Sequence, residues 1–330
     1  MAQPITPEIS LQIHCFRDAD LCTSVFQEWG VQLRQLQSAP FQAVISRLQM
    51  DGLSIGRIAV NCRVEIMGEK PQDSIAFATL IETEGRPHFA HATPLHPNCI
   101  FGFDNQRETN LVSSAQGFDF LVVEVDCWLM RSLADQLGYG DLNDAFLRQN
   151  IVSVLPEKMN SYYQYLSQIG FLMDHHPQYL QTPEMPRLLR GDLLPLLMNA
   201  LSHPGKQPKP LRRAEIVSTA QDYMTANLHR PMTLAELSQA VCASRRSLIY
   251  GFQDIFGMGP ITYLKQQRLN GVRKALLAGN PEYETVANIA HIWGFYSSGH
   301  FARDYKALFG ETPSETLHQK IQQCNQQCNL

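Results

Sequence analysis

Several features that would settle a protein's class at once are missing from this 330-residue chain. The eight cysteines (15, 22, 62, 99, 127, 242, 324 and 328) are scattered and none forms a C-x-x-C pair. A disulfide framework is therefore not expected, and reduced thiols of a cytoplasmic protein are. On a helix, Cys324 and Cys328 would share a face at i, i+4, the one pairing on which a tail metal or redox role could rest. The opening MAQPITPEIS has neither a basic n-region nor an apolar h-region, so no secretory signal is expected. The apolar run FLVVEV (120–125) is far too short to span a bilayer. No phosphate loop, no G-x-S-x-G and no paired catalytic carboxylates occur, which argues against nucleotide hydrolysis and serine-hydrolase chemistry. With charged residues at 18% and no low-complexity tract, little disorder is expected.

What is present is enough for two cores, at 44% hydrophobic residues. The net charge of −4 hides an asymmetry: residues 206–330 carry 14 Lys+Arg against 9 Asp+Glu, a net +5, and the first 205 carry 13 against 22, a net −9. An acidic front and a basic back point to different partners.

The front reads as strands between about 40 and 126. PFQAVISRLQMDGLSIGRIAVNCRVEIMG predicts a hairpin, 41–50 with 53–66, turning at Asp51-Gly52. SIAFATLIETEG and FDFLVVEVD add strands, and the spacing suggests a small barrel or jelly roll. A helix is expected at 18–29, with Asp18 near its start and Gly30 at its end. From 127 to 201 the period becomes helical, in WLMRSLADQLG, LNDAFLRQ and MNSYYQYLSQIGFLM, with Pro186 and Pro195 interrupting 183–201. SHPGKQPKPLRR (202–213), with three prolines, a glycine and four Lys/Arg, reads as a linker.

Beyond the linker all is helical. EIVSTAQDYMTANL is amphipathic, and Thr233 and Glu236 form a capping box for the next helix. Ser244 caps another, Gly259-Pro260 opens a longer one running to about Ala278, and Thr285 starts the next. Ser297 or Ser298 caps the following helix, and Thr312-Pro313-Ser314-Glu315 is a second capping box. One plan occurs twice, in TLAELSQAVCASRRSLIYGFQDIFG and TVANIAHIWGFYSSGHFARDYKALFG: helix, turn, capped helix, glycine. Leu248, Phe252 and Phe256 match Phe301, Tyr305 and Phe309 in spacing. Two helix-turn-helix units follow, joined by one long helix. In such a unit the second helix enters the DNA major groove with its N-terminal turn against the bases. Arg245 and Arg246 stand there, and an arginine can bond guanine O6 and N7 together.

The last 110 residues or so resemble the DNA-binding domain of the AraC/XylS family of transcription regulators. The resemblance is carried by Ser244, Leu248, Phe252 and Gly257, and by Ile289-Ala290, Gly294-Phe295, Phe301, Arg303, Tyr305-Lys306, Phe309-Gly310 and Pro313. ASRRSLIYGF, GMGPITYLKQQRLNGVRKAL and WGFYSSGHFARDYKALFGETPSETLHQ are similar to the ethanolamine-operon regulator branch. The resemblance implies base-facing residues at Arg245, Arg246 and Tyr250 in the first unit, and at Ser298, Gly299, His300 and Arg303 in the second, with Lys306 toward phosphate. Tyr250 stands in the first unit where the family often has arginine; in the second, Gly299 offers no side chain, so that helix is expected to position more than it specifies. Double-stranded DNA, RNA polymerase and a small-molecule effector, with ethanolamine or adenosylcobalamin as candidates, are the implied partners, and activation is the family's usual mode.

His88, His91 and His96 raise the alternative of a cupin-like metalloenzyme fused to a targeting module. Their spacings of three and five do not fit the cupin ligand pattern, and His88 and His91 cannot share one face of a regular strand. A polar loop is expected there, and Asp174-His175-His176 suits a helix C-terminus. The stripe Met159, Tyr162, Tyr163, Leu166, Ile169, Met173 reads as a core face or a homodimer face. An architectural DNA-binding protein is the other alternative. The expected fold is α+β: a sensor and dimerisation domain (1–201), made of a cupin-like β-barrel (about 40–126) and helices (about 127–201); a linker (202–213); and an all-α DNA-binding domain (214–330) with two helix-turn-helix units. No enzyme activity, cofactor, metal or membrane contact is implied.

Overall fold

The computed structural model describes residues 9–25, 31–81, 87–139, 143–280 and 283–318. Two compact units emerge: one holds the chain up to Leu33 and Gln42–Lys209, the other Arg34–Phe41 and the chain from Pro210.

The first unit runs, in chain order, through β1 (Ser10–Phe16), α1 (Ala19–Val25), β2 (Val31–Gln35, its last two residues in the second unit), β3 (Ala43–Met50), β4 (Leu53–Val60), β5 (Val64–Gly68), β6 (Ser74–Leu80), β7 (His88–Ala90), β8 (Thr93–Leu95), β9 (Cys99–Phe101), β10 (Thr109–Val112) and β11 (Phe118–Asp126). It continues with α2 (Cys127–Leu137), α3 (Asp144–Leu147), β12 (Ile151–Ser153), α4 (Pro156–His175) and α5 (Met185–Leu201). The described strands form a seven-stranded sheet, β1-β3-β4-β11-β6-β9-β12, and a five-stranded sheet, β2-β5-β10-β7-β8. Each sheet keeps two edges, so these strands form two antiparallel sheets, and the cupin-like barrel expected is not closed by the described residues.

The β3–β4 hairpin turns at Asp51-Gly52, with Met50 opposite Leu53 and Gly52 at φ 72°. Its second strand stops at Val60, short of the expected residue 66. The chain leaves the seven-stranded sheet there and re-enters the other as β5. Asp18 Oδ1 accepts from the amides of Asp20 and Leu21 and opens α1; the expected stop at Gly30 lies outside the described residues, as do Cys324 and Cys328. α5 runs through Pro195 without ending. Proline removes one helical hydrogen bond, but Leu193, Leu194, Leu197 and Met198 bury that stretch and offset the loss.

Side-chain alternation gives the seven-stranded sheet one helix-covered face. Ile75 and Phe77 of β6 and Leu121, Val123 and Val125 of β11 share a core with α2, α4 and α5. Met159, Tyr162, Leu166, Ile169 and Met173 all lie in it. Tyr163 is half-buried and donates its hydroxyl to Ile81 O at 2.7 Å. The α4 stripe is therefore core and not a homodimer face. The front of the linker is also anchored. Gly205 N donates to Ser153 O at 2.6 Å, Leu155 N to His203 O at 3.1 Å, and Gln207 Oε1 accepts from Ser153 N at 3.1 Å. His88 is not in a polar loop: it opens β7, is 3% exposed, and its Nδ1 accepts from Ser114 N at 3.2 Å. Burial holds its imidazole neutral, with a pKa of about 4.

The second unit holds α6 (Ala214–Ala226), α7 (Leu234–Ala240), α8 (Arg245–Phe256), α9 (Pro260–Ala278), α10 (Val286–Ile292) and α11 (Ser298–Phe309), with helix again over 313–318. α9 is its spine. Tyr263, near the N-terminal end, meets the rings of Phe252 and Phe256 at 5.3 and 4.4 Å. Leu269, Val272 and Leu276 pack with Ile289, Ala290, Phe301, Tyr305 and Leu308.

Candidate nucleic-acid interface

The two helix pairs, α7–α8 and α10–α11, begin by the same chemistry. Thr233 Oγ1 accepts from Glu236 N at 3.2 Å. Thr285 Oγ1 accepts from Asn288 N at 3.2 Å. Ser244 caps α8 by accepting from Ser247 N at 3.1 Å. For α11 the N-cap is Ser297, whose side chain makes no capping bond, and Ser298 is the first helical residue. Both second helices stop at a left-handed glycine, Gly257 and Gly310. The last capping box closes as read, with Thr312 N to Glu315 Oε2 at 2.6 Å and Glu315 N to Thr312 Oγ1 at 3.3 Å.

Buried contacts hold each pair on the spine. Trp293, at the end of α10, lies on Gly271 of α9; a β-carbon there would fall 2.1 Å from the ring. Arg268 of α9 donates Nε to Leu228 O at 2.7 Å and Nη2 to Arg230 O, fastening the α6–α7 connection. Arg273, 4% exposed, bonds Glu311 at 2.5 Å, and Thr316 joins Glu311 to the Tyr305 hydroxyl at 2.5 and 2.9 Å. This network ties the last helix to α9 and α11. Burial pushes the Tyr305 phenol well above its usual range, so it stays a neutral donor.

Leu248 and Phe252 point inward, fully buried, and leave Arg245, Arg246 and Tyr250 exposed on the outer face of α8. Arg246 lies 5.2 Å from the Tyr250 ring centroid. Arg213 lies 5.4 Å from the same ring and pairs with Asp254 at 3.3 Å. Sequence reading left Arg213 in the linker; the structure makes it the N-cap residue of α6. The Arg-Arg doublet closing the linker was the available signal. On α11, Ser298, Gly299, His300, Arg303 and Lys306 are all exposed, and Arg303 Nη2 meets His300 Nδ1 at 2.9 Å. Among the described residues Arg245, Arg246 and Lys306 form no ion pair, whereas Lys265 is neutralised by Asp304 at 3.1 Å.

Residues 237–319 match the family model described as "Helix-turn-helix domain". A crystal structure of a probable AraC family transcriptional regulator from Rhodopseudomonas palustris is 37% identical, over 32% of this chain and 96% of that one, with a TM-score of 0.30. The probable thc operon regulatory protein of Rhodococcus erythropolis is 30% identical over 303 residues, 84% of this chain and 85% of that protein. This chain belongs to the AraC family.

The XylDLEGF operon transcriptional activator 1 of Pseudomonas putida adds a more local likeness, 33% over 98 residues, or 30% of each chain. As an AraC-family member the protein is a DNA-binding transcription regulator. No helix of the described residues is long and apolar enough to cross a membrane, and no group of three or more His, Cys, Asp or Glu among them could hold a metal ion.

Proposed function

We propose that this AraC-family protein is an effector-responsive activator, and that α8 and α11 are the reading helices of two helix-turn-helix units. The observation that carries the reading is the pair of exposed arginines at the capped N-terminus of α8, neither of them in an ion pair among the described residues. A helix start already favours anions, and two unneutralised guanidiniums there suit a phosphate edge and a guanine edge together. Arg245 and Arg246 read bases, and Tyr250, flanked by Arg246 and Arg213, holds Arg246 in place by cation–π attraction. In the second unit Ser298, Gly299, His300 and Arg303 face the groove with fewer reading groups, and Lys306 takes phosphate. The 19-residue spine α9 supports two successive grooves. At about 1.5 Å per residue it spans about 28 Å, against about 34 Å per DNA turn.

The front unit (to about 201) is the effector domain, joined through 202–213 to the DNA-binding domain (214–330). RNA polymerase is the downstream partner. A homodimer would use a surface other than the buried α4 stripe; Phe171, Tyr179 and Leu188 are exposed in the same unit. The ethanolamine-branch likeness lies in the C-terminal half, so it names no effector for the front unit. Fluorescence anisotropy of the full chain on promoter fragments, read across a salt series, tests the reading. Roughly six phosphate contacts give a log–log slope near −5. A slope near zero would overturn DNA binding.

A further inference from the structure

The second face of the seven-stranded sheet is built differently from its helix-covered face. Where Phe77, Leu121 and Val123 fill the core, the alternate positions on β6 are Ala76 and Ala78. With Ala90 of β7 opposite, these short side chains leave a cavity of about 120 Å³ between the two sheets. A dry cavity of roughly 150 Å³ admits benzene, so the space suits a compact organic body. Its walls are mainly apolar, including Ile58, Ile66, Phe101, Phe120 and Val122.

Two charged side chains line it, Glu124 and Lys70. Glu124 is already satisfied: Oε2 takes Arg47 at 3.0 Å and Ser54 at 3.1 Å, and Oε1 takes Ser74 at 2.7 Å. Lys70 is not. Its Nζ donates to the main-chain oxygen of Asp104 at 2.8 Å and to Asn150 Oδ1 at 3.2 Å, both uncharged acceptors, and it forms no ion pair among the described residues. An ammonium has three protons to give. The Asp104 carboxylate favours the Lys70 charge from a distance, but Arg107 opposes it. His91, also on the wall, is kept neutral by burial and by Arg107 and Lys70, with a pKa of about 3. Burial lowers Lys70 to about 8, which leaves it mostly charged at neutral pH.

We propose that this cavity binds a compact monocarboxylate with an apolar body, its carboxylate on Lys70 Nζ. A cation would meet Lys70 beside an already neutralised Glu124. A dianion such as phosphate would lose its water to apolar walls that give too few donors back. The proposal rests on the front unit being the effector domain.

The test uses the full-length protein and three probes of one shape: cyclohexanecarboxylate, cyclohexanecarboxamide and cyclohexylamine. By calorimetric titration the carboxylate binds about tenfold or more tighter than the amide, the margin of one charge-assisted hydrogen bond, and the amine does not bind. Lys70→Gln removes that preference and Lys70→Arg restores part of it. Ala78→Leu, which fills the space and leaves the lysine alone, abolishes binding of every probe. Equal affinity for carboxylate and amide, a preference that survives Lys70→Gln, or no binding of any probe overturns the proposal. Probe-free DNA binding of the same preparations separates the two readings. A protein that binds DNA and ignores the carboxylate defeats this inference alone; one that binds the carboxylate and no DNA defeats the regulator reading alone.

Discussion

Arg246 and Lys306 are both exposed and form no ion pair among the described residues, and the proposed reading gives them different work. Arg246 stands in the first turn of α8 with its guanidinium against Tyr250; Lys306 sits in the last turn of α11. A planar fork that is already oriented can select a base, while a flexible ammonium far from the helix start meets only backbone charge. Arg246→Ala is expected to relax base preference in one half of the operator, where a bidentate contact discriminates by about 1–3 kcal/mol. Lys306→Ala is expected to weaken all sequences alike and to lower the salt slope by about 1. Competition binding on a randomised operator library checks both, and swapped outcomes would sink the placement of the two helices. Tyr250→Phe keeps the ring and should keep the preference, whereas Tyr250→Ala should lose part of it.

At the scale of elements, packing at Gly271 sets how firmly the second pair sits on the spine. Gly271→Val pushes a branched side chain into the Trp293 ring, and overpacking of this kind costs about 1–3 kcal/mol. Urea unfolding of the variant should show that loss, and an unchanged midpoint would mean that Trp293 is free to move aside. The helices of this unit were legible in the sequence because each carries its own local signal: Thr233 with Glu236, Ser244, Thr285, and Thr312 with Glu315 are caps that act within four residues. The front unit was legible only in part. The Asp51-Gly52 turn announces its hairpin, but nothing local marks where β4 hands over to β5, since that break serves a pairing with β10 more than forty residues on. The burial that carries α5 through Pro195, and the bonds that fasten Gly205 and Gln207 to Ser153, are likewise long-range. At the candidate interface, the exposed residues followed from helix period and resemblance. Arg213 did not, because its role exists only once α6 lies beside α8.

At the scale of the whole molecule, the division into units does not follow the chain. Arg34–Phe41 belongs to the second unit although it lies far upstream of it. Gln35 exchanges two hydrogen bonds with Asn270, Asn270 Nδ2 to Gln35 O at 2.9 Å and Gln35 N to Asn270 Oδ1 at 3.2 Å, and its side chain reaches Leu308 O at 3.1 Å. Leu36 is 2% exposed. A fragment starting at residue 206 would keep every residue proposed to read DNA and lose this segment. Burying one leucine is worth about 1.5–3 kcal/mol, so the fragment should bind DNA yet melt several degrees below the same unit supplied with a synthetic 34–41 peptide. No effect of the peptide on melting would refute the assignment. The consequence reaches gene fusion and recombination. A single crossover in the 202–213 stretch, the natural place to join a new front half to this DNA-binding half, would separate α9 and α11 from the eight residues that complete them. A working hybrid has to import that short upstream stretch along with its downstream home.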